Sequence, residues 1–455
     1  MKKEVKFIHG LIPVLALAVA MLSAVVLWGA EPQIPLAVGC MAAGIVAWRL
    51  GWTWDEILAG MLDGIRQSLE AVLILMAIGI LISMWVAAGT VPAMIYWGLH
   101  LISPKAFLPG TFLLCSLISM FVGAWGAAGT VGIAFIGIGQ TLGMPLPMVA
   151  GAIVAGSYVG DKMSPFSDGT NLAAAVSSAN IFEMIRHMIP IALPVWGISA
   201  VMYLFLGLRF APDEQNMEEI LAPMTEGLSA SFCIGLSALI PLVVMLICVV
   251  LKWPSLVAIL TSAISGAIVA LTSQSSSPAE LLTFANAGYL SQTGIAELDK
   301  LLSTGGIYAM MRTISIILVA MAFGGLMRST GQMDALISPV IRRIRSTAAL
   351  IVLTVCSCIG VNIVAPDQYL GISVPGQMYA AEFERRGLAN HTLGNVLGAG
   401  AAVTSPLVPW NTCGVYMTSI LGVATLQYVP FALFNLLLPI AMVAWGIVRF
   451  GRKKA

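Results

Sequence analysis

A short polar segment, residues 160–171, interrupts a long apolar stretch and carries residue types that bind cations. Pro165 and Gly169 lie within it, and both residue types disfavour a continuous helix. A broken helix frees carbonyl oxygens, and carbonyls, carboxylates, hydroxyls and amides are the ligands that hard cations such as Na⁺ prefer. The candidate ion-binding and proton-coupling residues here are Asp161, Lys162, Ser164, Ser167, Asp168, Thr170 and Asn171, with Asp161 and Asp168 as expected Na⁺ ligands.

Two later segments, residues 362–368 and 404–412, combine proline with polar side chains in a similar way. The first places Pro366 beside an acidic residue, and the second has no charge. We expect both to add polar groups to the same site. A helix end in the lipid headgroup region is the alternative for the first, and a polar contact between helices is the alternative for the second. Their candidate residues are Asn362, Asp367, Trp410, Asn411 and Thr412.

The composition predicts that the elements holding these segments are membrane helices. Charged residues make up only 9% of the 455 residues, and hydrophobic residues 59%. A soluble domain usually carries about 25% charged residues, so a soluble enzyme is excluded. The net charge of +1 excludes a nucleic-acid binder, which needs a basic surplus.

Long charge-free stretches indicate the spans themselves. No Asp, Glu, Lys or Arg lies between Lys105 and Asp161, or between Arg386 and Arg449. One helix needs about 20 apolar residues to cross the bilayer, so we expect an all-α polytopic membrane protein with roughly ten to fourteen helical segments, some of them broken. Charge inside a span is costly, which makes residues 160–171 a functional candidate. A polar loop at the membrane surface is the alternative for that segment.

Basic residues at both ends of the chain predict the topology. By the positive-inside rule we expect both termini in the cytoplasm, an even number of crossings and a location in the cytoplasmic membrane. We expect the first apolar stretch, residues 11–28, to be retained as a helix rather than cleaved as a signal peptide. The basic residues are Lys2, Lys3 and Lys6 at one end and Arg449, Arg452, Lys453 and Lys454 at the other.

Short motifs recur in the same order in the two halves of the chain, which predicts a repeat. Residues 76–81 resemble residues 321–326, and Ser164-Pro165 resembles Ser405-Pro406. Gly123, followed by Gly139-Gln140, matches Gly360, followed by Gly376-Gln377. We therefore expect one repeat over residues 1–228 and a second over residues 229–455.

Charge placement predicts that the second repeat is inverted. The basic segment 342–345 belongs in the cytoplasm, which places residues 279–300 outside, opposite to the comparable residues 52–70. Transporters with inverted repeats build their sites from discontinuous helices near the middle of the membrane. A duplication without any transport role is the alternative.

Two of these segments resemble motifs of the NhaC family of Na⁺/H⁺ antiporters. Residues 160–172 are similar to the family signature GDKxSPLSDTTNL, and residues 406–414 to its segment PLIPWNTCG. A glycine-rich stretch at 129–132 is also similar, and the resemblance covers most of the chain. It implies exchange of Na⁺ for H⁺, or of malate with a proton for sodium-lactate, or of amino acids. We expect no cofactor besides the transported Na⁺ and H⁺.

The sequence departs from the family pattern at two places. Gly169 stands where the family usually has Thr, and residues 126–128 replace a run that is often richer in hydroxyl groups. Fewer hydroxyl groups would remove cation ligands or widen the site for an organic substrate.

The expected mechanism is competition for one carboxylate. Asp161 or Asp168 binds either Na⁺ or H⁺ but not both, and this couples the two fluxes. Burial disfavours the charged form of a carboxylate, and a nearby ammonium group such as that of Lys162 favours it. Neighbouring hydroxyl and amide groups supply neutral oxygens, and alternating access moves one helix bundle against the other.

Two rival functions stay open. One is exchange of a small organic acid or amino acid, with its carboxylate held by Lys162, Arg312 and the positive ends of half-helices. The other is a membrane-embedded enzyme or a passive assembly subunit. No HExxH or GxSxG motif occurs, so we expect no enzymatic activity. The expected partners are Na⁺, H⁺ and the lipid bilayer, and the sequence is compatible with a homo-oligomer.

Overall fold

The computed structural model describes residues 3–28, 30–101, 103–164, 167–210, 217–251, 253–341, 346–365 and 367–450. Within these ranges every regular element is helical, which confirms the all-α class. Several residues used in the topology prediction lie outside the described ranges: Lys2, segment 342–345, Arg452, Lys453 and Lys454. Pro165 and Pro366 lie outside them as well.

Twenty-two α-helices occupy the described residues. The first ten are α1 (Phe7–Met21), α2 (Gln33–Arg49), α3 (Trp54–Ala87), α4 (Thr90–Leu101), α5 (Pro104–Ala127), α6 (Ile133–Thr141), α7 (Leu146–Met163), α8 (Asp168–Val176), α9 (Ile181–Phe210) and α10 (Met217–Ser231). The next six are α11 (Ile240–Val250), α12 (Ser255–Ser273), α13 (Pro278–Ala287), α14 (Ala296–Leu302), α15 (Ile307–Ser329) and α16 (Gln332–Ile341). The last six are α17 (Thr347–Val364), α18 (Gln368–Arg385), α19 (Asn390–Leu397), α20 (Thr412–Leu421), α21 (Thr425–Tyr428) and α22 (Leu433–Phe450).

Short helical turns of other types join some of these helices. The π-helical turns are Leu22–Leu27, Ala128–Gly132 and Gly398–Ala402, and the 3₁₀ turns are Leu236–Leu239, Ser405–Leu407 and Val429–Phe431. Because such turns and breaks divide the apolar stretches, the structure has more and shorter helices than the ten to fourteen segments expected from length alone.

Seven of the described helices are long and apolar enough to cross a bilayer, so the chain is a multi-pass membrane protein. An eighth crossing is counted if one bent pair, Thr225–Ser231 with Leu236–Cys248, forms a single span bent by 93°. The longest span is α3, with 34 residues. Helices α5, α7 and α19 are the ones that end or break near the candidate residues.

Helices α3 and α15 pack closely along their length and run antiparallel. Gly60 lies against Ser329, Gly64 against Gly325, and Gly79 against Gly306. The amide of Gly306 donates a hydrogen bond to the carbonyl of Gly79 at 2.7 Å. Small residues at such contacts let helix backbones approach closely.

The antiparallel packing bears on the proposed repeat. Helix α3 contains residues 76–81 and α15 contains residues 321–326, the pair of matching motifs. Two inverted repeats require equivalent helices to point in opposite directions, and these two helices do so. The division into repeats 1–228 and 229–455 stays a prediction that this arrangement favours.

Helix breaks fall at the polar segments. Gly123 interrupts α5 with φ 71° and ψ 175°, a conformation that is essentially restricted to glycine. Helix α7 ends at Met163 and α8 begins at Asp168, while α17 ends at Val364 and α18 begins at Gln368. The breaks expected at residues 160–171 and 362–368 are therefore present.

Candidate functional site

Asp161 lies in the last turn of α7 and is only 7% exposed. Its Oδ1 accepts a hydrogen bond from the amide of Ala124 at 3.4 Å. This amide follows the break at Gly123, and the first N–H groups of a restarting helix lack partners within that helix. The α5 break therefore points a backbone donor at a carboxylate on α7.

The second oxygen of this carboxylate has no hydrogen-bond partner among the described residues. Asp161 Oδ2 is fully enclosed by protein, and the Ser167 hydroxyl lies beside the carboxylate. Buried polar groups nearly always have a hydrogen-bond partner, because burial without one costs about several kcal/mol. The cost is larger for a charged group. An unpartnered carboxylate oxygen of this kind is the arrangement expected of a group that binds a cation or a proton.

Close packing of α5 against α7 holds Asp161 in place. A Cβ on Gly160 would clash with the carbonyl of Ser116, and one on Gly156 would lie 2.5 Å from the carbonyl of Phe112. The hydroxyl of Ser119 donates to the carbonyl of Gly156 at 3.2 Å. The small residues before the polar segment therefore allow the two helices to approach, and they bury the carboxylate.

Lys162 is 3% exposed and directly follows Asp161 in α7. Adjacent residues on a helix do not face each other. The Nζ of Lys162 lies 3.1 Å from the position that a Cβ on Gly398 would take, so the ammonium group packs against the π-helical turn Gly398–Ala402. This turn consists only of buried glycine and alanine residues. The charge therefore lies at a contact between the two halves of the chain.

The hydroxyl groups of the segment hold the break together. Ser164 donates to the carbonyl of Met120 at 2.5 Å, and Thr170 donates to the carbonyl of Asp161 at 2.9 Å. Ser167 caps α8 by accepting from the amide of Thr170 at 3.3 Å. These three predicted residues therefore lie together with Asp161. We call Asp161, Lys162, Ser164, Ser167 and Thr170, with the α5 break at Gly123, the first break cluster.

Two other predicted residues of the segment are placed differently. Asn171 is exposed and donates to the carbonyl of Ser167 at 2.9 Å, so it lies on the outward side of α8. Asp168 begins α8, but its side chain lies outside the described part of the structure. The choice between Asp161 and Asp168 as the coupling carboxylate stays open at this point, although the unpartnered oxygen favours Asp161.

The predicted residues of the C-terminal half form a second break cluster, which is Asn362, Asp367, Trp410, Asn411 and Thr412. Asp367 caps α18, with Oδ1 accepting from the amides of Tyr369 at 2.8 Å and Leu370 at 3.1 Å. Its Oδ2 accepts from the hydroxyl of Thr412 at 3.3 Å. Both carboxylate oxygens of Asp367 are therefore engaged.

The amides of this cluster are engaged as well. Asn362 donates to the carbonyl of Ala401 at 2.7 Å and to the hydroxyl of Thr404 at 3.0 Å. Asn411 donates to the carbonyl of Asn362 at 3.2 Å and caps α20. Trp410 donates its indole N–H to the carbonyl of Ile363 at 2.8 Å. The second break cluster is thus a satisfied polar network, and its role as a source of cation ligands stays a prediction.

Several residues that the sequence did not single out connect the two halves. Gln368 accepts from Ser405 at 3.3 Å and from Cys413 at 3.4 Å, and its Nε2 lies 2.9 Å from the Cβ position of Gly169. The buried hydroxyl of Tyr158, on α7, lies beside Ser405 and Cys413. The glycine at 169 therefore leaves room for a glutamine from the other half.

A pair of stacked aromatic rings makes a further connection. Trp125 and Tyr416 stack with ring centroids 4.3 Å apart, and the Tyr416 hydroxyl donates to the carbonyl of Trp125 at 2.6 Å. A Cβ on Gly129 would lie 2.6 Å from that hydroxyl oxygen. The only sequence signal of this contact was the run of small residues from Gly126 to Gly129, which makes room for the ring of Tyr416 on α20.

Comparison with known proteins gives consistent matches along the chain. A model described as the Na⁺/H⁺ antiporter family matches residues 156–450. The Na⁺/H⁺ antiporter NhaC of Bacillus subtilis (strain 168) is 35% identical over 422 residues, covering 92% of this chain and 93% of the relative.

Other relatives of similar identity carry different names. The arginine/ornithine antiporter ArcD of Halobacterium salinarum is 33% identical over 449 residues. The alignment covers 98% of this chain and 92% of the relative. The malate-2H⁺/Na⁺-lactate antiporter of Bacillus subtilis (strain 168) is 34% identical over 400 residues. The alignment covers 88% of this chain and 85% of the relative.

Proposed function

This chain belongs to the Na⁺/H⁺ antiporter family, and we propose that it exchanges Na⁺ for H⁺ at the first break cluster, with Asp161 as the carboxylate that the two ions share. The observation that carries this proposal is the enclosed Oδ2 of Asp161, which has no hydrogen-bond partner among the described residues. An ionised carboxylate without a partner in a low-dielectric interior is very unfavourable, so a cation or a proton must neutralise it.

The groups around the Asp161 carboxylate favour binding of either ion. The amide of Ala124 fixes Oδ1 and leaves Oδ2 to face the ligand. The Ser167 hydroxyl beside the carboxylate offers a neutral oxygen, as a hard cation requires. A bound proton removes the negative charge that attracts Na⁺, and bound Na⁺ occupies the oxygen that would take the proton. Exclusive occupancy at one carboxylate is sufficient to couple the two fluxes.

Topology supports transport across the cytoplasmic membrane with both termini inside. Both chain ends carry basic residues, and the positive-inside rule assigns such ends to the cytoplasm. Counting the bent pair Thr225–Ser231 with Leu236–Cys248 as one span gives up to eight crossings, an even number that this orientation requires. The antiparallel packing of α3 and α15 supports alternating access by inverted repeats.

A second candidate function is exchange of a small organic acid or amino acid, as the names of two relatives suggest. The observation that favours it is the buried ammonium of Lys162 beside the small residues of Gly398–Ala402. A carboxylate of a small substrate placed there would neutralise that ammonium. Flux measurements with malate, lactate, arginine and ornithine, each with and without Na⁺, separate this candidate from simple cation exchange.

The test applies the same chemical change in both break clusters. Asp161→Asn and Asp367→Asn each replace a carboxylate with an amide of nearly equal size. Purified protein in liposomes, with Na⁺-driven proton flux as the readout, should lose transport to background in Asp161→Asn and keep most of it in Asp367→Asn. Full activity in Asp161→Asn would reject Asp161 as the shared carboxylate.

A further inference from the structure

A cluster of metal-binding side chains lies apart from both break clusters, where α9 meets the start of α19. Glu183 and His187 are four residues apart on α9 and therefore share a helix face. His391 lies in the first turn of α19, with its Nδ1 3.3 Å from Oε1 of Glu183. The rings of the two histidines stack with centroids 3.8 Å apart.

The three side chains converge closely enough to share one ion. One potential ligand atom from each residue lies within 4.8 Å of the other two. Ligands at about 2.0–2.2 Å in a tetrahedral site are roughly 3.3–3.6 Å apart, so a modest closure is needed. Glu183 and His187 are exposed, which leaves their side chains free to make this adjustment.

The hydrogen bond of His187 favours the tautomer that binds metals. Its Nδ1 lies 2.9 Å from the carbonyl oxygen of Glu183. Because a carbonyl only accepts, the contact keeps the proton on Nδ1 and leaves the lone pair of Nε2 for a ligand. Histidines that bind metals are commonly oriented by such a contact to a backbone carbonyl.

The surroundings leave room for a fourth ligand. A cavity of about 320 Å³ is lined by both histidines and by Thr392, Asn395 and Arg449. Water in this cavity would complete a four-coordinate site. The guanidinium of Arg449 opposes a cation there, so its removal should tighten binding.

We propose that Glu183, His187 and His391 form a binding site for a divalent transition-metal ion of the Zn²⁺ type. Two imidazoles and one carboxylate with an open position are a ligand set that suits Zn²⁺. Ca²⁺ and Mg²⁺ prefer sites made of oxygen atoms, so this set selects against them.

A metal at this site would act on transport through α19. It would join α9 to α19, and α19 continues into the turn Gly398–Ala402, against which Lys162 packs. Restraining this turn should slow transport. This second step rests on the proposed function, whereas metal binding itself does not.

The binding test uses the purified full-length protein titrated with Zn²⁺ by calorimetry, with Mg²⁺ as a negative control. We expect one Zn²⁺ per chain in the wild type. His391→Gln and Glu183→Gln should each weaken binding at least about tenfold, in line with the effect of disturbing a metal site. Arg449→Gln should strengthen it. The control His9→Gln, which changes a histidine on α1, should bind as the wild type does.

Two results would overturn the site: no Zn²⁺ binding by the wild type, or binding by His391→Gln and Glu183→Gln as tight as that of the wild type. The transport step is tested separately in liposomes, where Zn²⁺ should slow flux in the wild type and in His9→Gln but not in His391→Gln. Zn²⁺ binding with unchanged flux would reject the link to transport and keep the site. Loss of Na⁺/H⁺ exchange in the absence of Zn²⁺ concerns the proposed function instead.

Discussion

Asp161 and Asp367 both follow a long apolar helix segment at a break, yet their carboxylates have different hydrogen-bond partners. Asp161 receives the backbone N–H of Ala124 at Oδ1, the Ser167 hydroxyl lies beside the carboxylate, and Oδ2 lacks a hydrogen-bond partner among the described residues. Asp367 receives three groups, the amides of Tyr369 and Leu370 and the hydroxyl of Thr412.

The contrast separates two uses of a broken helix. In the second break cluster the acid replaces the missing helical partners of α18, which is the usual role of Asp at an N-cap. In the first break cluster Ser167 caps α8, and the acid lies six residues earlier, in the last turn of α7. A carboxylate that is not needed for capping is available to bind an ion. This contrast supports the proposal that Asp161, rather than Asp367, is the carboxylate used in transport.

The largest effect outside Asp161 is expected at the α5 break. Gly123→Ala places a side chain at φ 71° and ψ 175°, a strain of about 1–3 kcal/mol, 3.6 Å from Oδ1 of Asp161. The break should relax and move the Ala124 amide, so both thermal stability and Na⁺-driven flux should fall.

Gly360→Ala is the matched control, because the repeat aligns Gly360 with Gly123. Gly360 lies within helix α17, and a Cβ there meets no atom within 4 Å. This variant should be as stable as the wild type, or more stable by about 0.5–1 kcal/mol, since alanine favours a helix over glycine. Equal effects of the two substitutions would contradict the special role of the α5 break at Gly123.

A smaller loss, of stability rather than of transport, is expected from removing the cap of α18. Asp367→Ala should lower the free energy of unfolding by about 1 kcal/mol, the usual cost of losing an N-cap. Asp367→Asn keeps an acceptor oxygen and should stay close to the wild type. Thermal unfolding in detergent measures both variants. If Asp367→Asn transports no better than Asp161→Asn, the charge of Asp367 is itself needed and the comparison fails.

Replacing Lys162 should change the pH dependence of transport more than its maximum rate. Lys162→Met keeps the length of the side chain against Gly398 but removes a positive charge next in sequence to Asp161. Without that charge a proton competes better with Na⁺, so the pH profile of flux should move to higher pH. Lys105→Met, at an exposed position, should leave the profile unchanged. An unmoved profile in Lys162→Met would remove Lys162 from the coupling.

The smallest effect is expected in a loop far from the breaks in sequence. It serves as a control for the pH dependence of transport. The Thr293 amide donates to Asp299 at 2.6 Å and, as the largest cause, lowers the pKa of that carboxyl group. Because the pKa is lower in the folded state, this contact stabilises the loop above the unfolded pKa and is lost as the pH falls through the lowered value. Hydrogen exchange of residues 291–299 should therefore rise only at acidic pH.

Asp299→Asn should remove that pH dependence and leave flux unchanged. If flux instead changed at neutral pH in this variant, pH effects on transport could not be assigned to the first break cluster.

Part of the site was predictable because it depends on local chemistry. Proline and glycine within residues 160–171 indicated the break, and the long charge-free stretch before Asp161 indicated its burial. Each of these features follows from a residue and its immediate neighbours.

Other features were not predictable because they depend on distant segments. Proline and an acidic residue occur together in both segments, and only the partners in space distinguish the carboxylate of Asp161 from that of Asp367, which caps α18. Tyr416 fills the space left by Gly129, and Gln368 that left by Gly169, from the other half of the chain. Asn171 matched the motif, yet it lies on the exposed side of α8.

The most direct test of the account is the release of protons when Na⁺ binds to the purified protein in weakly buffered detergent solution. If Na⁺ and H⁺ share the Asp161 carboxylate, added Na⁺ should release protons from the wild type and from Asp367→Asn, and none from Asp161→Asn. Proton release from Asp161→Asn equal to that of the wild type would contradict the account.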